Sequence, residues 1–184
     1  MKDPMSLLEN LDRDSNKKPL PPVDTWHPEV CGDSEIRILS NGTWLHQGQP
    51  FKRKKLVELF ARIIRLDADD KYYLVTPVEK MELHVDDVPF VAEGFQVVID
   101  KNEQHIVFET NVGDKVVADK AHPVTVVMDG DEPQPYVVVR KNLKAKIARS
   151  VFYQLVDLAT EVKVGGLNVL SINSAGVSFE LGRY

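Results

Sequence analysis

The fold of this chain is decided by the stretch RKKLVELFARII, residues 53–64, and by a second stretch that resembles it, RKNLKAKIARSV, residues 140–151. Arg, Lys, Leu, Ala and Arg recur at matching places in the two stretches. The turn dipeptides Asn41-Gly42 and Asp129-Gly130 precede them by similar distances. A duplicated fold unit explains this agreement. The alternative is two unrelated units that share common helix residues.

Each stretch predicts a helix. In the first, Leu56, Leu59, Phe60, Ile63 and Ile64 are spaced as one apolar helical stripe. In the second, we expect a longer helix from about residue 142 to residue 159. Its inward-facing residues are expected to be Leu143, Ile147, Val151, Leu155 and Leu158.

Short strands surround both predicted helices. Residues 36–39 and 43–46 flank the Asn41-Gly42 turn, whose two residues tolerate positive φ and favour a hairpin. The chain therefore predicts an α+β fold of two related halves, each an antiparallel sheet with one main helix. We expect an N-terminal arm over residues 1–30, anchored by Trp26. A ββαββ domain over residues 31–93 and a β-rich domain with a long helix over residues 94–184 follow.

Composition limits the class of protein. The chain has 184 residues, a formal net charge of -5 and one cysteine, Cys31. The negative charge argues against a broad nucleic-acid or membrane surface. A single cysteine cannot form an internal disulfide, and no apolar stretch reaches the length of a membrane helix. These features predict a cytoplasmic protein.

The strongest candidate for chemistry is a pair of basic helix starts. Lys52, Arg53, Lys54 and Lys55 open the first predicted helix, and Arg140, Lys141, Lys144 and Lys146 open the second. Cations oppose the helix macrodipole at this end, so their presence suits a phosphate or carboxylate ligand. Arg53, Arg140 and Arg149 are the expected binders, because a guanidinium grips an oxyanion with two hydrogen bonds. A merely solvated face is the alternative, and nucleic acid is not expected.

A second candidate site combines aromatic and ionisable residues. Trp44, His46, Glu79 and Asp86 lie in the first half, and they would serve an enzyme with Glu79, Asp86 or His46 as acid or base. The five histidines show no metal-ligand spacing, so no metal site is expected. No nucleophile or phosphate-loop motif is present, and the sequence names no cofactor.

Three blocks of sequence resemble the bacterial domain-of-unknown-function family 1285. They are residues 31–53, with CGDSEIRI, NGTWLH and GQPFKR; residues 76–90, with TPVEK and VDDVPF; and residues 139–155, with VRKNLKA and FYQL. The resemblance covers about residues 26–181. It implies a duplicated core, a C-terminal half like a pleckstrin-homology fold, a nucleotide-like ligand at the domain interface and a signalling role.

The preferred interpretation is therefore a module that binds a small anionic or nucleotide-like ligand between its halves. Its candidate ligand-binding residues are Arg53, Arg140, Arg149, Trp44, His46 and Glu79. The enzyme described above remains open. An interaction adaptor, monomeric or homodimeric, that uses an exposed sheet edge or the N-terminal arm also remains open.

Overall fold

The computed structural model describes residues 19–184, so residues 1–18 of the predicted arm lie outside the described residues. This part of the chain divides after Phe90 into an N-terminal unit and a C-terminal unit. Each unit is rich in strands and has one α-helix within the described residues. The α+β fold of two similar halves is confirmed.

The N-terminal unit is built on one six-stranded sheet with the strand order β3-β2-β1-β6-β5-β4. Its elements are β1 Val30–Ile38, β2 Trp44–His46, β3 Gln49–Pro50, α1 Lys54–Ala61, β4 Ile64–Leu66, β5 Tyr72–Val75 and β6 Lys80–Val85. The hairpin between β1 and β2 forms at the predicted turn. Gly42 has φ of 84°, and the side-chain oxygen of Asn41 accepts a hydrogen bond from the Thr43 amide at 3.0 Å. Because β1 pairs with β6 in parallel, this sheet is mixed rather than purely antiparallel.

Helix α1 is shorter than its sequence predicts. It ends at Ala61, and Ile64 already belongs to β4, where its side chain is buried. Leu56 and Leu59, two residues of the predicted apolar stripe, are 36% and 58% exposed. The prediction of one helical stripe that runs from Leu56 to Ile64 is therefore wrong. The chain turns into a strand before the second helical turn of that stripe is complete.

Arginine side chains hold the segment before β1 to the N-terminal sheet. The Arg65 guanidinium donates 2.7 Å hydrogen bonds to the backbone carbonyls of Val23 and Trp26, and a bidentate pair to the Asp67 carboxylate. Trp26 packs against the cluster of Val23 and Tyr73. The end of the predicted arm is thus anchored at Trp26, as expected.

Lys80 completes this polar network beside Tyr73. Its ammonium pairs with Asp67 and lies 3.9 Å from the centre of the Tyr73 ring. The Tyr73 hydroxyl donates a 2.6 Å hydrogen bond to Asp69, which raises the pKa of Tyr73 to about 12. Asp67 has a lowered pKa, chiefly because Arg65 hydrogen-bonds to its carboxylate.

The C-terminal unit contains two sheets, with the orders β10-β11-β12-β7-β8-β9 and β13-β14-β15. Its elements are β7 Phe90–Asp100, β8 Glu103–Thr110, β9 Lys115–Val117, β10 Val124–Asp129, β11 Glu132–Arg140, β12 Leu143–Ile147, α2 Arg149–Leu158, β13 Thr160–Val164, β14 Leu167–Ser174 and β15 Val177–Arg183. The boundary drawn from the sequence between residues 93 and 94 falls inside β7. The likeness to a pleckstrin-homology fold stays a prediction.

The second predicted helix is wrong in its first half. Residues 143–147 form strand β12, and α2 begins only at Arg149. Leu143, Ala145 and Ile147 alternate inward along the strand, each at most 4% exposed. The residue-by-residue alignment of residues 53–64 with residues 140–151 therefore compares a helix with a hairpin and does not hold. The buried positions were nevertheless predicted correctly for Leu143, Ile147, Val151 and Leu155, whereas Leu158 is exposed.

Candidate functional site

A cavity of about 350 Å³ lies within the C-terminal unit. Three elements form it: the start of β11, the end of β12 and the first turn and a half of α2. Its lining residues are Glu132, Pro133, Gln134, Pro135, Lys146, Ile147, Arg149, Phe152 and Tyr153. This volume is in the range of small-molecule sites in proteins.

The junction between β12 and α2 places the cavity's cations. Ala148 is extended, with φ of -57° and ψ of 145°, and its amide donates a 3.0 Å hydrogen bond to the Ala92 carbonyl. This break ends the strand after Ile147 and starts the helix at Arg149. Lys146 and Arg149 consequently both line the cavity, on either side of the junction.

Apolar and aromatic side chains form the rest of the lining. Ile147 and Phe152 are buried, at 1% and 6% exposure, so the cavity has a rigid apolar wall. Tyr153 is 58% exposed and presents its ring at the edge of the cavity.

The electrostatics of the cavity are mixed, with an excess of positive groups. Arg149 lies 3.3 Å from the Glu132 carboxylate, and both side chains are about two-thirds exposed, at 70% and 66%. Helix α2 has no acidic residue in its first turn and no side-chain cap at Ala148. The first amides of a helix have no partners within the helix, and the macrodipole makes this end positive.

Arg140 has a different position from the one expected. It ends strand β11 instead of opening a helix, and it does not line the cavity. Its guanidinium donates a 2.8 Å hydrogen bond to Asp114, with the two side chains 16% and 24% exposed. Lys141, which follows it, lies in the tight turn to β12 with φ of 52°. The expected basic helix start in this half is therefore wrong for Arg140, Lys141, Lys144 and Lys146, because residues 140–147 form a β-hairpin.

Arg53 belongs to the N-terminal unit, where it is the N-cap residue of α1. Its backbone is extended, its side chain is exposed, and Lys54 and Lys55 follow in the first turn. The first basic helix start was therefore predicted correctly. Its carbonyl accepts the Leu56 amide at 3.0 Å, which begins the helix.

Trp44 and His46 contribute to an aromatic cluster in the N-terminal unit. Phe51 lies between them, with ring centres 6.3 Å from Trp44 and 6.0 Å from His46, and Phe60 of α1 extends the cluster by another 6.0 Å contact. Trp44 is 3% exposed, and its indole nitrogen is buried with no hydrogen-bond partner among the described residues. Trp44 therefore packs in the hydrophobic core of this unit.

The acidic candidates do not converge. Glu79 is exposed in the turn before β6, where its backbone closes the turn on Thr76, and Asp86 follows the other end of β6. A strand of this length separates them by roughly 20 Å, which is far beyond the reach of a shared proton. Asp86 accepts a 2.7 Å hydrogen bond from Arg37. Glu79 and Asp86 therefore cannot act together as the acid and the base of the enzyme hypothesis.

The sequence interpretation missed most of the cavity. Glu132, Gln134, Phe152 and Tyr153 were not proposed as site residues, because the helix was expected to begin too early. The strict apolar–polar alternation of Leu143-Lys144-Ala145-Lys146-Ile147 is the signal that would have placed the strand and its junction with α2.

Nowhere in residues 19–184 do three His, Cys, Asp or Glu side chains gather as metal ligands. None of the helices described is long and apolar enough to cross a membrane.

Comparisons with known proteins agree with the two-unit fold. The family model for the N-terminal domain of the domain of unknown function DUF1285 matches residues 21–88, and the C-terminal domain model matches residues 89–181. No curated protein matches the chain. A crystal structure of a DUF1285 family protein from Silicibacter pomeroyi DSS-3 is 40% identical, with a TM-score of 0.80, over 89% of this chain and 88% of that one.

A second crystal structure extends the comparison to a more distant relative. The DUF1285 family protein from Shewanella baltica OS155 is 25% identical, with a TM-score of 0.51, over 66% of this chain and 90% of that one. With both domain models matched in order and a 40% identical relative covered almost end to end, this chain belongs to the DUF1285 family.

Proposed function

We propose that this protein binds a small anionic, nucleotide-like ligand in the cavity of its C-terminal unit. The observation that carries the proposal is the meeting of Lys146, Arg149 and the start of α2 around a space of about 350 Å³. A phosphate group placed there meets a guanidinium, an ammonium and the positive end of a helix.

Arg149 is the main anion-binding group of this proposal. Its ion pair with Glu132 is exposed, and exposed pairs of this kind contribute only about 0–1 kcal/mol. A ligand phosphate can therefore replace the Glu132 carboxylate at little cost. A phosphate can also accept two parallel hydrogen bonds from the guanidinium of Arg149.

The uncharged part of the cavity favours a ligand with a flat ring. Tyr153 and Phe152 offer aromatic faces and edges, and Gln134 offers an amide that can both donate and accept hydrogen bonds. A base or similar ring would pack there while its phosphate lies near Arg149. A module that binds such a ligand would suit a signalling role, as the family resemblance implies.

Two parts of the sequence-based interpretation stay predictions. One is that the ligand lies between the two halves. The other is that Arg53 and Arg140 contact the ligand together with Arg149. The experiment below includes Arg53 for this reason.

Isothermal titration calorimetry of the full chain with ATP, AMP, adenosine and inorganic phosphate tests the proposal. We expect the phosphorylated nucleotides to bind more tightly than adenosine. Arg149→Ala should weaken nucleotide binding about tenfold to a hundredfold, since a hydrogen bond to a charged group contributes roughly 1.5–3 kcal/mol. Glu132→Gln should strengthen binding, because it removes the carboxylate that competes for Arg149.

The matched control is Lys120→Ala, which removes a cation from an exposed bend that does not line the cavity. It should leave binding unchanged. If none of the four compounds binds at millimolar concentration, or if Arg149→Ala binds as the parent does, the cavity is not the site. A loss of binding in Arg53→Ala equal to that in Arg149→Ala would instead favour the site predicted from the sequence.

A further inference from the structure

Strand β13, Thr160–Val164, is an edge strand with every residue exposed. It pairs with β14 on one side, and it is the outermost strand of its three-stranded sheet. Its register with β14 runs without a bulge, and its sequence, TEVKV, contains neither Pro nor Gly. Such an edge offers a row of backbone donors and acceptors to another strand.

The other sheet edges in the described residues differ from β13 in length, in regularity or in what lies beside them. β10 is a regular six-residue edge, but β15 lies beside it. β3 has two residues, one of them Pro50, and β4 and β9 have three residues each. β15 is interrupted by a bulge opposite β14. Short, proline-containing or bulged edges resist pairing with other strands, whereas a regular five-residue edge invites it.

The apolar face of β13 extends past the core of its own unit. Val162 pairs with Val169, and Val164 pairs with Leu167, so Val162 projects from the same face of the sheet as the buried Val169. Val169 is 4% exposed, but Val162 and Val164 are 41% and 55% exposed. An added strand would continue the sheet and cover this apolar face.

The charges of β13 identify a second copy of the same strand as the partner. In an antiparallel pair centred on Val162, Glu161 of one copy lies opposite Lys163 of the other, and the two-fold symmetry repeats this ion pair. Val162 then lies opposite Val162 of the second copy on the apolar face. Glu161 already accepts a hydrogen bond from the Tyr184 hydroxyl, which holds its carboxylate on the polar face of the sheet.

We propose that two copies of this chain associate by antiparallel pairing of β13 with β13 about Val162, which joins their three-stranded sheets into one sheet of six strands. This proposal is independent of the ligand cavity. The homodimer proposed from the sequence is thereby assigned to one strand, β13, and to one register, centred on Val162.

Sedimentation velocity of the full chain from micromolar to millimolar concentration tests this proposal. We expect a concentration-dependent dimer. Lys163→Glu places four carboxylates at the two-fold axis and should raise the dimer dissociation constant at least about tenfold, because each like-charge pair occurs twice. Combining Glu161→Lys with Lys163→Glu restores opposite charges and should recover most of the affinity.

Two further variants separate this surface from others. Val162→Lys places two ammonium groups on the two-fold axis and should also raise the dimer dissociation constant. Lys120→Glu makes the same charge change as Lys163→Glu in an exposed bend and should not alter the dissociation constant. Circular dichroism melts of each variant check that the monomer remains folded.

A chain that stays monomeric at millimolar concentration contradicts the proposal. A dimer that is insensitive to Lys163→Glu and Val162→Lys also contradicts it, because it must use another surface. If Lys163→Glu dissociates the dimer but the double exchange does not restore it, the antiparallel register about Val162 is wrong.

Discussion

Ser174 is a single residue that joins three parts of the C-terminal unit. It lies in β14 with no exposed surface. Its hydroxyl accepts a hydrogen bond from the Ile106 amide of β8 at 2.8 Å and donates one to the Ala118 carbonyl at 2.6 Å. A hydroxyl is the smallest side-chain group that can both accept and donate in this way. The residue therefore links the two sheets through polar groups that have no access to water.

We expect Ser174→Ala to lower the free energy of unfolding by about 2–4 kcal/mol, because a buried amide and a buried carbonyl each lose their partner. Urea denaturation followed by circular dichroism measures this change. Ser178→Ala, at an exposed position in β15, is the control and should change stability by less than about 0.5 kcal/mol. A change in Ser174→Ala no larger than in the control would show that the hydroxyl is not needed.

Arg140 and Arg149 show how residues of the same type acquire different roles. Arg140 is largely enclosed and is engaged by Asp114, so its charge is balanced within the unit. Arg149 is exposed, and its partner Glu132 is equally exposed. Both lie within the lysine-rich residues 140–149, and this local sequence does not reveal which arginine has an enclosed partner. Burial and pairing, which depend on distant parts of the chain, make the distinction.

At the scale of elements, two arginines hold the segment before β1: Arg62 donates a 2.8 Å hydrogen bond to the Pro19 carbonyl, and Arg65 of β4 bonds to residues further along the segment. Arg65 holds this segment through the carbonyls of Val23 and Trp26 while Asp67 neutralises the guanidinium. Because these contacts use backbone carbonyls, they do not depend on which side chains the segment carries. The geometry requires a planar group with several donors, which lysine does not offer.

We therefore expect Arg65→Lys to loosen the segment around residues 23–26 while the sheet stays folded and Arg62 still holds the Pro19 carbonyl. Limited proteolysis should cut this segment several times faster in the variant, and the free energy of unfolding should fall by about 1–3 kcal/mol. Arg37→Lys is the control, since Arg37 forms an exposed pair with Asp86 at the other end of the sheet's central strand. Equal cleavage rates in Arg65→Lys and the parent chain would contradict this role.

Strand β12 shows why element type is hard to assign from periodicity. Leu143, Ile147 and Val151 are four residues apart, and four is close to one helical turn and also a multiple of the strand period of two. A helix and a strand would each place these residues on one face. The predicted set of buried residues was therefore correct, although the type of element predicted for residues 143–147 was wrong. Ala145 is buried midway between Leu143 and Ile147, and this alternation of buried residues has the strand period of two.

At the scale of the whole molecule, acidic side chains determine how stability depends on pH. The pKa of Asp67 is lowered chiefly by Arg65, that of Asp33 by His84, that of Asp69 by Tyr73 and that of Glu180 by Arg183. A carboxylate whose pKa is lower in the folded state stabilises the fold above its ordinary pKa. This contribution is lost as the pH falls through the folded-state pKa.

We expect the contribution of these carboxylates to the free energy of unfolding to stay level between pH 7 and about 5 and to fall as the pH is lowered further, through the ordinary carboxyl pKa and towards the lower folded-state values. Asp67 is the most enclosed of these carboxylates, with 18% of its side chain exposed. Asp67→Asn should therefore be less stable at neutral pH and should lose less stability on acidification than the parent chain. Urea denaturation at a series of pH values measures both slopes. Identical slopes would show that Asp67 does not contribute to the pH dependence.

The sequence by itself determined the local features of this protein. The Asn41-Gly42 hairpin follows from the backbone freedom of two adjacent residues, and the inward positions of β12 and α2 follow from apolar spacing. The blocks that resemble DUF1285 were also readable, and the family models confirm them.

Only the tertiary structure decided the parallel pairing of β1 with β6, the strand in place of a helix at residues 143–147, and the cavity where β11, β12 and α2 meet. Each of these depends on contacts between residues that are distant in sequence. The partner strand satisfies the backbone groups and selects one conformation among several that the local pattern allows.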